Sequence, residues 1–191
     1  MGKIIVSENV SLDGVVQDPT GEEGFRLGGW WVRVGDKDRE QAARVVLDEA
    51  LGTEAMLLGR RSYEFLAARW PTRTGEFADR MNSKAKYVVS STLQDPAWAN
   101  TTVLGGEVVD EVSALKQRLA GDIIVAGSFQ LVHRLLEHDL VDELRLMIYP
   151  VVLGAGARLF GETSDKKPLR LIGNTTVAGD LAYLTYQPTG G

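Results

Sequence analysis

Two kinds of hydrophobic pattern alternate along this chain. Short apolar runs typical of buried strands occupy Lys3–Ser7, Ala55–Leu58, Tyr87–Ser90 and Asp122–Ala126. Between them, apolar residues recur every three or four positions, which predicts helices over Arg39–Leu51, over Arg60–Ala68, around Val108 to Leu119, and from Gly127 onward. Strands that alternate with helices favour an α/β sheet with helices packed on it.

The last third of the chain has a different pattern. Three strand-like segments follow one another without a helical segment between them: Glu143–Leu153, Leu169–Val177 and Leu181–Tyr186. Gly179-Asp180 is a turn signal between the last two. Helical crossovers followed by consecutive strands predict a mixed sheet, partly parallel and partly antiparallel. Because there is no long linker, repeat or low-complexity tract, we expect a single domain over residues 1–191.

Composition excludes several classes of function. The formal net charge of −5 argues against a general nucleic-acid binder, which needs a basic face. The absence of cysteine removes disulfides, thiolate metal sites and cysteine nucleophiles. His133 and His138 are off the spacing that places two ligands on one helix face, so no metal is expected. The sequence contains no run of about 18 apolar residues, so no membrane span is predicted. We expect a cytoplasmic protein.

A long glycine-rich loop is predicted from Val10 to about Asp36, and loops of this length are usually functional. Asp13 is either a proton donor or substrate anchor, or simply a turn aspartate before Gly14. Trp30, next to Trp31, either lines a substrate pocket or anchors the loop to the core. The residues alone leave both alternatives open.

Small polar residues follow three of the predicted strands, at Gly59-Arg60-Arg61-Ser62, Ser90-Ser91 and Gly127-Ser128-Phe129-Gln130. A helix N-terminus offers unpaired N–H groups and partial positive charge, so phosphate binds there. Each site alone also fits a simple turn or a serine N-cap. Two arginines at a helix start oppose the helix dipole, however, and an anion between them would resolve that conflict. Together the three strand ends predict a ligand that carries several phosphates.

The order and spacing of the motifs resemble the dihydrofolate-reductase-like superfamily. The motifs are Leu58–Ser62, Val89-Ser90-Ser91 and Val125-Ala126-Gly127-Ser128. Ser11–Gly14 and Pro150–Phe160 are similar to the C-terminal reductase domain of the bifunctional riboflavin-biosynthesis deaminase/reductase. The resemblance extends from Lys3 to Tyr186. It implies a mixed β-sheet flanked by helices, an NADPH-dependent reductase of a small heterocycle such as 5-amino-6-(5-phosphoribosylamino)uracil or dihydrofolate, and a homodimer.

The resemblance also implies roles for individual residues. The cofactor would be held by Gly59, Arg60, Arg61, Ser62, Ser90, Ser91, Ala126, Gly127, Ser128, Phe129, Gln130 and Leu131. Ser90 and Ser91 would lie beside the adenosine 2′-phosphate, and the Leu12–Val16 loop would close over the nicotinamide. Asp13, Gly14 and Trp30 would meet the substrate, with Asp13 as the catalytic acid. The cofactor carries the hydride, and the protein positions it.

The sequence departs from these relatives at two positions that are expected to concern the substrate. Dihydrofolate reductases carry a carboxylate on the inward face of the helix before the Gly-Arg motif, whereas that face offers Ala43, Val46 and Leu47 here, flanked by Glu40. Valines follow Asp13-Gly14 where the riboflavin branch usually has a basic residue. One alternative is therefore a non-catalytic nucleotide-binding module. Another is an enzyme that uses NADH, although the arginines and serines argue for a cofactor with a 2′-phosphate.

Overall fold

The computed structural model describes residues 1–31 and 36–189, and these contain an eight-stranded sheet. The strands are β1 (Ile4–Ser11), β2 (Ala55–Gly59), β3 (Ala85–Val89), β4 (Thr101–Leu104), β5 (Ile123–Val125), β6 (Glu143–Tyr149), β7 (Leu169–Val177) and β8 (Leu181–Pro188). The helices are α1 (Asp36–Gly52), α2 (Arg60–Ala67), α3 (Glu76–Ser83), α4 (Val108–Arg118) and α5 (Phe129–Glu137). Residues 32–35 of the predicted glycine-rich loop, including Gly35, lie outside the described residues.

The sheet is mixed, as predicted. The spatial order of its strands is β4-β3-β2-β5-β1-β6-β8-β7. The first six are mutually parallel, while β8 runs antiparallel to both β6 and β7. The turn predicted at Gly179-Asp180 joins β7 to β8. The parallel part therefore gathers the carboxyl ends of six strands at one edge of the sheet.

Helices cover both faces of this sheet. The first face, which carries Ile4, Val6, Leu57 and Val125, packs against α4 and α5 in one apolar cluster. The opposite, second face packs against α2 and α3 through Tyr63 and Met81, alongside Met56 and Leu58 of β2. Helix α1 lies on this second face as well, where Glu49 of α1 meets Ser7 of β1. A further apolar cluster on this face contains Ala42 of α1 together with Met147 and Tyr149 of β6. Alternation along each strand thus separates the core of the first face from those of the second.

Several element boundaries differ from the predicted ones. Helix α3 and strand β4 were not predicted, because α3 buries few residues (Ala78 and Met81) and β4 is a four-residue edge strand. The strand predicted over Glu143–Leu153 stops at Tyr149, because Pro150 has no N–H to continue the ladder.

The inward face of α1 also differs from the predicted one. The apolar pattern places Ala43 and Leu51 inward, yet both are exposed, Leu51 by 44%. Ala50 is buried as the pattern predicts, and Ala42 and Glu49 are buried in addition. A buried glutamate with polar partners rotates the face in a way that hydrophobicity cannot reveal. Helix α1 therefore does carry an inward carboxylate, although in its last turn.

Strand β7 forms an edge of the sheet, and its Leu171 and Ile172 are 47% and 48% exposed. The homodimer stays a prediction. Among the described residues, every helix is too short or too polar to cross a bilayer.

Candidate functional site

The connections of two neighbouring strands diverge at the carboxyl edge of the sheet. Strands β2 and β5 are adjacent and parallel. The helix that follows β2 packs on the second face, whereas the helix that follows β5 packs on the first. In open α/β sheets, ligands bind in the crevice at such a topological switch point. We call the gap between residues 59–62 and 126–131 the switch-point crevice.

The two sides of the switch-point crevice are hydrogen-bonded to each other. The Gly59 N–H donates to the Ser128 hydroxyl at 2.9 Å. The Ser62 hydroxyl donates to the Gly127 carbonyl at 3.0 Å. Gly127 has a φ of +72°, which favours glycine at this turn. The first and third predicted strand ends are thus brought together at one location.

Ser128 does not cap its own helix. It is the N-cap residue of α5, but no side-chain capping bond is formed there, because its hydroxyl instead accepts the Gly59 N–H. The Val132 N–H donates to the Ser128 carbonyl and is the first helical bond of α5. The N–H groups of Phe129, Gln130 and Leu131 precede that bond and have no acceptor within the helix, so they are candidate anion donors at this helix start. This arrangement argues against the simple N-cap alternative.

The two arginines at the start of α2 differ in their surroundings. Arg60 forms an ion pair with Glu64 at 2.7 Å and donates to the Thr92 hydroxyl at 2.5 Å. Arg61 is exposed, and none of the described carboxylates pairs with it. A cation that none of the described carboxylates neutralises at a helix N-terminus suits a ligand anion, because the dipole alone disfavours it there.

The end of β3 lies beside this pair. The Ser90 hydroxyl accepts backbone N–H groups from Thr92 and Leu93, at 3.2 and 3.0 Å, and so shapes the turn after β3. Ser91 is exposed. Since Thr92 contacts Arg60, the second predicted strand end adjoins the switch-point crevice.

Asp13 is engaged as a structural carboxylate. It accepts hydrogen bonds from the Ser11 hydroxyl and from the Leu153 and Gly154 N–H groups at 2.7, 3.1 and 2.8 Å, and its backbone carbonyl accepts one from Arg158. These donors, the Ser11 hydroxyl first, lower the pKa of Asp13 to about 2. Such a group is ionised at neutral pH. The geometry therefore speaks against the proton donor and for the turn aspartate before Gly14, which has a φ of +86°.

Trp30 is anchored to the core. It is 3% exposed, its indole N–H donates to the Gln17 carbonyl at 3.0 Å, and its ring meets the Tyr149 ring edge-on at 5.3 Å. Of the two alternatives for Trp30, the structure favours the anchor over the pocket wall.

Sequence reasoning missed Glu8, whose side chain is 8% exposed on the first face of β1. Its carboxylate accepts the Gly127 N–H at 2.6 Å. Burial raises the pKa of Glu8 to about 8, and the Gly127 bond offsets only part of that effect. The available signal was its position between Val6 and Val10 on the inward side of a strand.

Glu49 was missed as well. It accepts the hydroxyls of Ser7 and Tyr183 at 2.6 and 2.7 Å and lies 3.5 Å from the guanidinium of Arg145. The group borders a cavity of about 350 Å³ that also contacts Thr53. Since Thr53 precedes β2, this cavity lies toward the amino edge of the sheet, away from the switch-point crevice.

The sheet order, the two helical layers and the glycine turns define an α/β fold of the dihydrofolate-reductase-like type. The chain belongs to the RibD C-terminal domain family, whose model matches residues 2–183.

Several known proteins are similar to this chain. The uncharacterized protein YyaP of Bacillus subtilis (strain 168) is 26% identical over 193 residues, which cover 98% of this chain and 96% of YyaP. A putative riboflavin biosynthesis protein from Shewanella sp. PV-4 has a similar structure, with a TM-score of 0.78, 22% identity and 100% of each chain covered. Dihydrofolate reductase from Enterococcus faecalis, solved with NADP(H), gives a TM-score of 0.63 at 13% identity, covering 99% of this chain and 98% of its own. At these identities the structures share the fold.

Proposed function

We propose that this protein is a reductase that uses NADPH to reduce a small heterocyclic compound. Membership of the RibD C-terminal domain family supports a reductase-type role. The observation that carries the cofactor assignment is the bonded pair of helix starts at the switch-point crevice, with the Ser128 hydroxyl turned to Gly59.

The donors at this edge suit a dinucleotide in three respects. The first N–H groups of α5 and the start of α2 supply two places for pyrophosphate oxygens. A Cβ on Gly59 would lie 3.7 Å from the Ser128 side chain and one on Gly127 3.7 Å from the Ser62 hydroxyl, so glycine keeps both backbones close to the opposite side of the crevice. The chemistry suits phosphate, because the donors are backbone N–H groups and guanidinium groups. When bound, the dihydronicotinamide supplies the hydride.

Arg61 is the residue we assign to the 2′-phosphate, with Ser91 and Arg60 beside it. Arg60 is already shared between Glu64 and Thr92, while Arg61 is available at the surface. A planar guanidinium matches phosphate with two parallel hydrogen bonds. NADH lacks this phosphate, so the same residues would discriminate against it.

For the substrate, our proposal names a class of compound and not a single molecule. The similar Shewanella structure is that of a putative riboflavin biosynthesis protein. This favours a heterocyclic substrate of the type that occurs in riboflavin biosynthesis. One observation favours a second candidate, a non-catalytic nucleotide-binding module. Asp13, the acid expected from the motif, is held ionised by its donors, so it cannot supply a proton at neutral pH.

Titration of NADPH and NADH during thermal unfolding tests the cofactor, because a ligand that binds the folded state raises Tm. We expect a larger rise with NADPH than with NADH at equal concentration. No rise with NADPH at saturating excess would refute the proposal. Oxidation of NADPH with pyrimidine, pterin and quinoid compounds then separates a reductase from a binding module: turnover with any of them supports the enzyme, and binding without turnover supports the module.

A further inference from the structure

A carboxyl group at the centre of the sheet is not assigned to the cofactor contacts above. Glu8 is buried on the first face of β1, and its one hydrogen-bonding partner among the described residues is the Gly127 N–H at 2.6 Å. Within the described chain, no cation lies at ion-pair distance from it. An uncompensated carboxylate is costly in such surroundings.

The position of Glu8 coincides with the point where two strands separate. Strands β1 and β5 are paired from Ile4↔Ile123 to Val6↔Val125, and the pairing ends there. Beyond it, β5 turns into α5 through Gly127, whose N–H returns to Glu8. The carbonyl of the same glycine accepts the Ser62 hydroxyl at 3.0 Å. Gly127 is therefore held from β1 on one side and from α2 on the other.

We propose that Glu8 is a positioning residue that couples cofactor binding to a proton: Glu8 accepts the Gly127 N–H and holds the turn, and its negative charge, when it is ionised, opposes a phosphate at the start of α5. The inference rests on the proposed function, because the phosphate concerned is that of the dinucleotide at the start of α5.

The electrostatic reason is that an ionised Glu8 and a bound phosphate would each place a negative charge near the N-terminus of α5. The N-terminus of α5 favours a single negative charge, and both an ionised Glu8 and a bound phosphate would supply one. Two negative charges at short range in a poorly solvated site repel each other strongly. Because burial raises the pKa of Glu8 to about 8, the neutral form prevails at neutral pH. By linkage, phosphate binding above that pH must take up a proton.

Charged groups on the elements around Glu8 are either paired with other residues or exposed to solvent. Arg60 pairs with Glu64, Arg158 with Asp13, and Arg145 with Glu143 and Glu49. The His133 ring contacts the Arg158 carbonyl. Arg61 at the start of α2 and Arg134 on α5 are exposed to solvent. Titration of Glu8 is therefore governed mainly by its burial and by the Gly127 bond.

Isothermal titration calorimetry of NADPH between pH 7 and pH 9.5 tests the coupling in the full chain. Phosphate monoesters titrate near pH 6, so the ligand's charge is constant across this range. For the unaltered protein we expect Kd to rise above about pH 8, by up to about tenfold per pH unit. Repeating the titration in two buffers of different ionisation enthalpy should reveal proton uptake.

Glu8→Gln keeps an acceptor for Gly127 and removes the titrating group, so its Kd should stay flat and its proton uptake should vanish. Glu54→Gln is the matched control, because Glu54 accepts the Gly121 N–H at 2.5 Å at the amino ends of β2 and β5. It should behave as the unaltered protein does.

Two results would overturn the inference. One is the same pH dependence in Glu8→Gln and the unaltered protein. The other is NADPH binding without proton uptake in the unaltered protein, a measurement that needs no variant to fold. Either result leaves the proposed function intact. Absence of NADPH binding at every pH would remove both proposals, so the two failures are distinguishable.

Discussion

The Ser128 hydroxyl accepts the Gly59 N–H at 2.9 Å although the two residues are 69 positions apart. This bond joins the turn after β2 to the turn after β5, and so fixes the distance between two helix N-termini. Ser128 is 5% exposed, so water cannot readily replace it.

Ser128→Ala should therefore weaken both folding and cofactor binding. It leaves a poorly hydrated donor at Gly59 without an acceptor, which costs about 1 to 3 kcal/mol. Urea unfolding measures the stability, and a fluorescence titration measures NADPH affinity. Ser83→Ala is a suitable control, because Ser83 is exposed at the end of α3. Equal unfolding midpoints for the two variants would contradict the prediction.

Arg61→Ala should reduce NADPH affinity about tenfold or more while NADH affinity stays unchanged, because a charge-assisted hydrogen bond to phosphate contributes about 1.5 to 3 kcal/mol. Stability should hardly change, since none of the described carboxylates pairs with Arg61. Arg134→Ala, at an exposed site far along α5, controls for the lost charge. Parallel losses for NADPH and NADH would show that Arg61 does not contact the 2′-phosphate.

Asp13→Asn should destabilise the protein at neutral pH but not in strong acid. The folded-state pKa of about 2 lies below the ordinary 3.8, so the carboxylate's contribution is complete above about pH 4 and is lost toward pH 2. The difference in Tm between the variant and the unaltered protein should shrink across that window. A difference that is constant with pH would argue that Asp13 is not held ionised.

The contribution of Glu8 to stability should change with pH in the direction opposite to that of Asp13. Its folded-state pKa is about 8 against an ordinary 4.5, so its contribution is complete below about pH 4.5 and declines as pH rises to about 8. The slope is at most about 1.4 kcal/mol per pH unit. Burial lowers the pKa of Lys84 and Lys86 to about 8, so their titration adds stability at higher pH. Subtraction of a Glu8→Gln curve isolates Glu8, and overlapping curves would disprove its titration.

Glu49→Ala should lower the stability of the protein and leave its NADPH affinity unchanged. Removal of one partner from a buried ionic group costs about 3 to 5 kcal/mol, although Arg145 keeps Glu143 at 2.6 Å and this reduces the loss. Because Glu49 lies away from the carboxyl edge, NADPH affinity at a temperature where the variant is folded should not change. A marked rise in Kd would place the cavity beside Glu49 within the functional site.

Local signals made much of this molecule predictable. The apolar runs located β1 and β2, and the turn at Gly179-Asp180 located the final hairpin. Glycine and serine after a strand predicted which turns approach the carboxyl edge, because their conformational and hydrogen-bonding properties are local. The mixed sheet followed from the order of these elements, and the dihydrofolate-reductase-like fold followed from the resemblance of the motifs to that superfamily.

What the sequence did not reveal depends on contacts between distant residues. The rotation of α1 is set by the bonds of Glu49 to Ser7 and Tyr183. Glu8 gains its importance from Gly127, which is 119 positions away. The motif makes Asp13 a candidate acid, whereas its donors from residues 153 and 154 hold it ionised. A motif indicates which side chains are present, whereas protonation depends on neighbours that only the fold supplies.

The bonds around Asp13 have a mechanical consequence. The Val16 N–H donates to the Ala157 carbonyl and the Leu159 N–H to the Gly14 carbonyl, both at 2.9 Å. These backbone bonds join the loop after β1 to the loop after β6. A flap hinged only at Leu12–Val16 would have to break these bonds. Any closure over a ligand that keeps these bonds would carry both loops together, and its hinge would lie in the residues that flank the pair.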